Sequence, residues 1–123
     1  MAFEDVAEAI DKFWKPEEKG DNVEGNVFKI EKDQWDNDRI VLDLGDDENG
    51  QLMTTTLPAH ASLQRFIPNI GVGDYIKVTL IDLIEPESDK EDENGNKIDE
   101  DGKILYPTYI YKVQKDPDRA VDY

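Results

Sequence analysis

The stretch Gln51–Leu83, QLMTTTLPAHASLQRFIPNIGVGDYIKVTLIDL, predicts a strand, a short helix, a tight turn and a second strand, in that order. Its first seven residues are rich in threonine, a β-branched residue that favours strands. Pro58 ends this strand because proline has no N–H to give to the sheet. Three apolar residues then follow at helical spacing, Leu63, Phe66 and Ile67.

A turn at Gly71–Asp74 leads into Tyr75–Leu83, where apolar and polar residues alternate as in a half-buried strand. Ile76, Val78 and Leu80 share the predicted inner face. A helix between a third and a fourth strand is how a small Greek-key barrel closes its open end. The stretch therefore predicts a mainly β protein, a five-stranded Greek-key barrel with this helix between strands 3 and 4.

Three further segments complete the predicted barrel: strand 1 at Asn22–Lys32, strand 2 at Arg39–Leu44 and strand 5 at about Leu105–Gln114. Gly25 predicts a one-residue bulge in strand 1, because the apolar residues on its two sides cannot share a face by strict alternation. In strand 2, the alternation places Leu44 inside the barrel and Val41 outside. Asn49-Gly50 predicts the hairpin turn that follows.

The chain is expected to form one domain, residues 1–115, followed by a short acidic tail, residues 116–123. Apolar residues at helical spacing predict an N-terminal helix at 2–14, ahead of the barrel at 22–115. This helix should cover the barrel, and a homodimer contact is the alternative. Residues 85–103 are so acidic that we expect a flexible loop, with a hairpin around Asn94-Gly95.

Composition excludes several classes of protein. The 123 residues include 14 basic and 30 acidic side chains, a net charge of −16, whereas polyanion-binding proteins are usually basic. There is no cysteine, and therefore no disulfide and no cysteine metal site. No window approaches the ~18 apolar residues of a membrane helix. The N-terminus lacks a basic signal region, so we expect a cytoplasmic protein (host cytoplasm if viral) without a membrane partner.

Two segments of the sequence resemble a known family. FWKPEEKGDNVEGNV (Phe13–Val27) and VGDYIKVTL (Val72–Leu80) are similar to the small OB-fold single-stranded DNA-binding proteins of phages and archaea. The resemblance spans about residues 13–115. It implies an OB-fold barrel and a non-enzymatic protein that coats single-stranded DNA during replication, recombination or repair, without sequence specificity.

Few residues suit catalysis or a cofactor. His60 is the single histidine, and we interpret it as a surface residue at the start of the helix. Ser62 lies two residues further along that helix and points to another side, so the two do not form a nucleophile–base pair. Residues 89–100 fit no frame of a calcium-binding EF-hand loop, although weak divalent binding by so many carboxylates stays open. We expect no enzyme, no cofactor and no metal site.

Single-strand binding needs aromatic rings on which bases stack, beside a cationic track. The usual OB-fold surface is formed by strands 2 and 3 with the flanking loops, and here it would include Trp35, Arg39, Val41, Met53 and Thr55. Further stacking candidates, with barrel core as the alternative, are Phe28, Tyr109 and Tyr111. Candidate phosphate contacts are Lys29, Lys32, Lys77 and Lys112. Trp35, in a polar loop with no obvious core to enter, is the strongest ligand candidate.

The tail and the overall charge suggest protein partners. Asp122 and Tyr123 end an acidic, aromatic-terminated tail, similar to the tails by which single-strand-binding proteins recruit replication or recombination proteins; a frayed end is the alternative. The rival to DNA binding is an acidic protein-interaction module, such as a DNA mimic or a phage assembly factor. Acid on the face of strands 2 and 3 would favour that rival, whereas acid confined to the loop between strands 4 and 5 and to the tail would favour DNA.

Overall fold

The computed structural model describes the backbone of residues 10–12 and all of residues 13–123, and the chain in this range is mainly β. The strands are β1 (Ile10–Phe13), β2 (Asn22–Lys32), β3 (Asp38–Asp46), β4 (Leu52–Thr56), β5 (Tyr75–Ile84), β6 (Lys90–Glu91), β7 (Lys97–Ile98) and β8 (Thr108–Asp116). A short helix, α1 (Ala61–Gln64), and a 3₁₀ turn (Ile67–Asn69) separate β4 from β5. The five strands predicted for the barrel therefore correspond to β2, β3, β4, β5 and β8.

Six strands form one sheet in the order β1-β4-β3-β2-β5-β8, and β6 and β7 form a separate two-stranded ribbon. Neighbouring strands are antiparallel except for β1, which pairs with β4 in parallel. The first half of β2 pairs with β5 and its second half pairs with β3. One long strand thus serves two parts of the sheet and curves it around the core.

The bend of β2 depends on two separate features. A Cβ on Gly25 would lie 2.5 Å from the carbonyl oxygen of Asp43, so glycine lets β2 and β3 approach closely. The bulge lies elsewhere: the β2–β3 register shifts between Val27 and Lys29. The predicted bulge in this strand is therefore present, but it lies two to four residues after Gly25. Gly25 itself is required for the close approach of the two strands, which is a different reason for a glycine in a strand.

The core is formed by the inward residues of the curved sheet together with α1. Ile76, Val78 and Leu80 are fully buried, as their alternation predicted, and Leu63 is the buried residue of α1. The remaining core members are Val27, Ile40, Leu42, Leu57, Ile70 and Tyr111. Two expectations for strand 2 were wrong. Val41 is buried on the outer face, and Leu44 is exposed because β3 leaves the core before the turn at 47–51.

Strand β1 replaces the C-terminal end of the predicted N-terminal helix. Residues 10–13 pair with β4 and the N–H of Trp14 donates to the carbonyl of Thr56, so the helix prediction was wrong there; residues 1–9 lie outside the described residues. An unpaired strand edge on β4 offers backbone partners that helical spacing of apolar residues does not reveal. The ring of Trp14, directly after β1, packs against the ring of Tyr111 in β8, with centroids 5.9 Å apart. This contact connects the two edge strands of the sheet, β1 and β8, through side chains.

Four turns within residues 10–123 share one geometry: 33–37, 47–51, 92–96 and 99–103. In each, the Oδ1 atom of the first-position aspartate accepts the N–H groups of the third and fifth residues at 2.8–2.9 Å. The fourth position has a positive φ, and it is glycine in three of the turns. In the first turn it is Asp36, with φ of 64°. The same pair of hydrogen bonds to an aspartate carboxylate therefore stabilises all four turns.

The acidic segment between β5 and β8 is folded into hairpins. The turn at 92–96 joins β6 to β7, which confirms the predicted hairpin at Asn94-Gly95, and the turn at 99–103 brings Ile104 back beside Ile98. We call residues 85–105 the acidic arm. Within the described residues, no helix has the length and apolar character needed to cross a bilayer.

Candidate nucleic-acid interface

A groove runs over one end of the curved sheet. Its three adjoining sections enclose about 360, 310 and 440 Å³. The first two sections share Trp14, Lys15, Pro58 and His60, and the last two share His60 and Tyr109. The walls come from the β2–β3 turn, the end of β1, the segment before α1, α1 itself and the start of β8. The groove is therefore built where four otherwise separate parts of the chain meet.

Aromatic rings line this groove in two places. At one end, Trp35 projects from the β2–β3 turn with 68% of its surface exposed, and Phe13 at the end of β1 is 59% exposed. In the middle of the groove, the rings of His60 and Tyr109 are stacked, with centroids 4.3 Å apart and planes 17° apart. Exposed or half-exposed rings of this kind provide the stacking surfaces that single-stranded nucleic acids use.

The turn around Trp35 holds its backbone firmly. Asp33 Oδ1 accepts the N–H of Trp35 at 2.8 Å and that of Asn37 at 2.9 Å. These bonds, with that from Asn37 first, hold the pKa of Asp33 below its usual value, so this carboxylate is ionised at neutral pH. The fixed turn therefore presents the indole at the groove without help from core packing.

Arg39 lies beside these residues with incomplete hydrogen bonding. Its guanidinium carbon is 5.7 Å from the centroid of the Phe13 ring, and its Nε is 3.7 Å from Asp33 Oδ2. Among the buried side-chain polar atoms of residues 13–123, Arg39 Nε is the one with no hydrogen-bond partner. A buried donor without a partner costs ~1–3 kcal/mol. The accessible part of the Arg39 side chain, which is 30% exposed, is what a ligand in the groove could contact.

The charge of the groove differs from that of the whole protein. Its lining contains three cationic side chains, Lys15, Arg39 and Arg65, and two carboxylates, Asp33 and Glu17. The chain as a whole has a net charge of −16. Both carboxylate oxygens of Asp33 already have partners: Oδ1 accepts two N–H groups of the turn, and Oδ2 faces Arg39. The side chains that line the groove therefore include one more cation than carboxylate, in contrast to the excess of acid over the whole chain.

The structure brings three of the predicted site residues to the groove: Trp35, Arg39 and Tyr109. Tyr111 is 3% exposed and belongs to the core, the alternative left open for it, where burial raises the pKa of its hydroxyl. Met53 is half-buried on the core-facing side of β4, two residues from Thr55, which pairs with Leu42. Val41 and Thr55 are buried and offer no surface to a ligand.

The predicted lysines lie outside the groove. Lys29 is exposed on β2 and is 3.2 Å from Glu31, while Lys32 pairs with Asp38 at 3.1 Å at the base of the turn. Lys77 and Lys112 lie on the outer face of the β5–β8 pair, and Lys77 lines a separate hollow. These four lysines could contact phosphates only if the bound strand extended beyond the groove onto the outer faces of the sheet.

Phe28 and the tail meet on a different part of the sheet. Tyr123 donates its hydroxyl hydrogen to Asp43 at 2.7 Å and packs edge-on against Phe28, with centroids 5.7 Å apart. The N–H of Val121 donates to the carbonyl of Gly73 at 2.9 Å. Asp122 is exposed. The tail therefore lies against the sheet of its own chain, near the end of the β2–β3 pair opposite Trp35.

Sequence reasoning missed four residues of the groove: Phe13, Trp14, Lys15 and Arg65; it also treated His60 only as a surface residue. A signal for the first three was present, because Phe13-Trp14-Lys15-Pro16 belongs to the segment that resembles the phage and archaeal family. The predicted helix concealed their role. Arg65 has no distinguishing sequence signal.

No group of three or more histidine or carboxylate side chains among the described residues is arranged to hold a metal ion. Comparisons of the chain with models of protein families, with curated proteins and with solved structures give no significant match. The argument for function therefore depends on the geometry of the groove and on the family resemblance of the sequence.

Proposed function

We propose that the protein is an OB-fold single-stranded DNA-binding protein of non-enzymatic function, acting in replication, recombination or repair. The strand order of β4-β3-β2-β5-β8 supports the OB-fold, as do the sharing of β2 between two parts of the sheet and the helix between β4 and β5. The parallel strand β1 at the edge of β4 is an addition to that plan.

The observation that carries the proposal is the coincidence of rings and cations in one groove. Phe13, Trp35 and the stacked His60–Tyr109 pair line the same surface as the three cationic side chains. Each base–aromatic stack is worth ~1–3 kcal/mol, and a dissociation constant of 1 μM needs about −8 kcal/mol. Three stacks with a few charge contacts are enough for micromolar binding by an acidic protein.

Trp35→Ala is the direct test, measured by fluorescence anisotropy of a labelled oligo(dT). Loss of one stack should weaken binding about 5- to 150-fold. Lys29→Ala is the matched control, because Lys29 is exposed, lies away from the groove and is already paired with Glu31. Equal effects of the two variants, or none from either, would remove the groove as the binding site.

The salt dependence of binding provides a second test. If Lys15, Arg39 and Arg65 each contact one phosphate, the logarithm of affinity should fall with the logarithm of salt concentration with a slope of about −2. A slope several times steeper would mean that the lysines on the outer faces also contact the strand. No binding even at low salt would contradict the DNA-binding proposal.

The acidic protein-interaction module is the second candidate because large apolar side chains are exposed beside the acidic arm; the acid of the arm alone does not favour it. Ile84, Ile104 and Tyr106 are exposed in and beside the arm, and most of its carboxylates face solvent. A basic protein segment with apolar residues would complement that surface. If oligo(dT) does not bind even at low salt, a protein-interaction module becomes the better account of the protein's function.

A further inference from the structure

His60 occupies the centre of the groove and is the single histidine of the chain. It lies at the N-terminal end of α1, is half-buried, and lines each of the three sections of the groove. Any strand that follows the groove from Trp35 to Tyr109 must pass over it. No other described residue lines all three sections.

The imidazole of His60 is held by two contacts with β8. Its Nδ1 is 2.7 Å from the hydroxyl oxygen of Tyr111, and its ring face stacks on Tyr109. A tyrosine hydroxyl can donate or accept a hydrogen bond. When Nδ1 is unprotonated it accepts from Tyr111, and when it is protonated it donates to the same oxygen. The ring can therefore gain a proton without losing its position.

The charged and titratable groups that line the groove with His60 come from several elements. Lys15 and Glu17 follow β1, Arg65 lies at the end of α1, Tyr109 belongs to β8, and the ion-paired Asp33 and Arg39 line the section nearest Trp35. Tyr111, a core residue of β8, contacts His60 from inside the sheet and does not line the groove. Burial lowers the pKa of His60 below its usual value, which leaves the free groove with a neutral imidazole at neutral pH.

We propose that His60 is a nucleic-acid-binding residue of the groove and that its protonation strengthens the hold on a single strand. This inference rests on the proposed function. A phosphate in the groove favours the cationic imidazole and raises its pKa in the complex. Affinity must then rise as pH falls through the interval between the free and bound pKa values, with uptake of one proton. His60 thus acts as a stacking ring at neutral pH and as a stacking cation in acid.

The test compares oligo(dT) binding by the wild-type chain and by His60→Phe at about pH 5 and about pH 8, using anisotropy. Phenylalanine keeps a ring over Tyr109 but cannot take a proton. Wild-type affinity should increase towards acid pH, tenfold for each unit by which binding raises the pKa. The variant should show a smaller increase, because the other groups that titrate in this range are the same in both proteins.

NMR of the wild-type chain gives a second measurement that needs no variant. One histidine yields one set of imidazole signals, whose titration midpoint can be compared with and without oligo(dT). A higher midpoint in the complex supports the proposal. An unchanged or lower midpoint, or equal pH dependence in wild type and His60→Phe, overturns it. Absence of binding at every pH would instead refute the proposed function itself.

Discussion

Replacing Asp36 by glycine should stabilise the protein. Asp36 has φ of 64° at the fourth position of the Trp35 turn, where the three other turns of this geometry have glycine. A left-handed conformation costs an ordinary residue ~1–2 kcal/mol. Glycine also makes the unfolded chain more flexible, and this opposes the gain in stability by ~0.4–1 kcal/mol. The Lys32–Asp36 ion pair lost in the change is exposed, spans 3.8 Å and contributes little.

Aspartate tolerates the left-handed conformation better than most residues, so the net gain should lie near the lower end of this difference. We expect about 0.5 kcal/mol, which is a rise of about 0.2–0.5 M in the urea midpoint. Gly50→Asp is the matched reverse change, because Gly50 has φ of 75° in the second turn and its added Cβ would meet no atom within 4 Å. It should lower the midpoint by a similar amount. If Asp36→Gly lowers the midpoint, or Gly50→Asp leaves it unchanged, backbone strain is not what distinguishes the Trp35 turn.

Three other substitutions follow from single contacts. Gly25→Ala should destabilise the fold by about 1–3 kcal/mol in urea unfolding, because its Cβ would press on the carbonyl of Asp43, whereas Gly71→Ala, with no such contact, should cost much less. Gly73→Ala combines a φ of 94° with a clash against the tail carbonyl of Val121, so limited proteolysis should cut the tail faster than in wild type. Asp33→Asn should weaken the pH dependence of stability in acid. The pKa of Asp33 is lower in the folded protein than in the unfolded chain, so the ionised carboxylate stabilises the fold above the unfolded pKa of about 4. This stability is lost as the pH falls through the pKa of the folded protein. An unfolding midpoint with the same acid dependence in both proteins would contradict this.

Local signals in the sequence were enough to predict most of the strands of the sheet. The alternation of Ile76, Val78 and Leu80 places β5 correctly, and the Asn-Gly pairs at 49–50 and 94–95 mark two hairpins that form. These features depend on residues within one strand or one turn, and side-chain period and turn chemistry report them directly.

Features that depend on distant residues were missed. Helical spacing near the N-terminus gave no sign that residues 10–13 pair with β4, since that pairing needs an open edge elsewhere in the chain. Val41 looked like an outward residue, yet it is buried because both faces of β3 are covered there. The polar sequence around Trp35 indicated that this residue is a candidate ligand contact. Only the assembled fold shows that Phe13, His60 and Arg65 line the same groove.

The pairing of β1 with β4 has a kinetic consequence. The turns at 33–37 and 47–51 close short loops, so the hairpins they join can form early, whereas Ile10 and Met53 meet across about forty residues of chain. The wall of the groove at Phe13 and Lys15 depends on this long-range pairing. During refolding, oligonucleotide binding should therefore not appear ahead of the phase in which β1 pairs with β4.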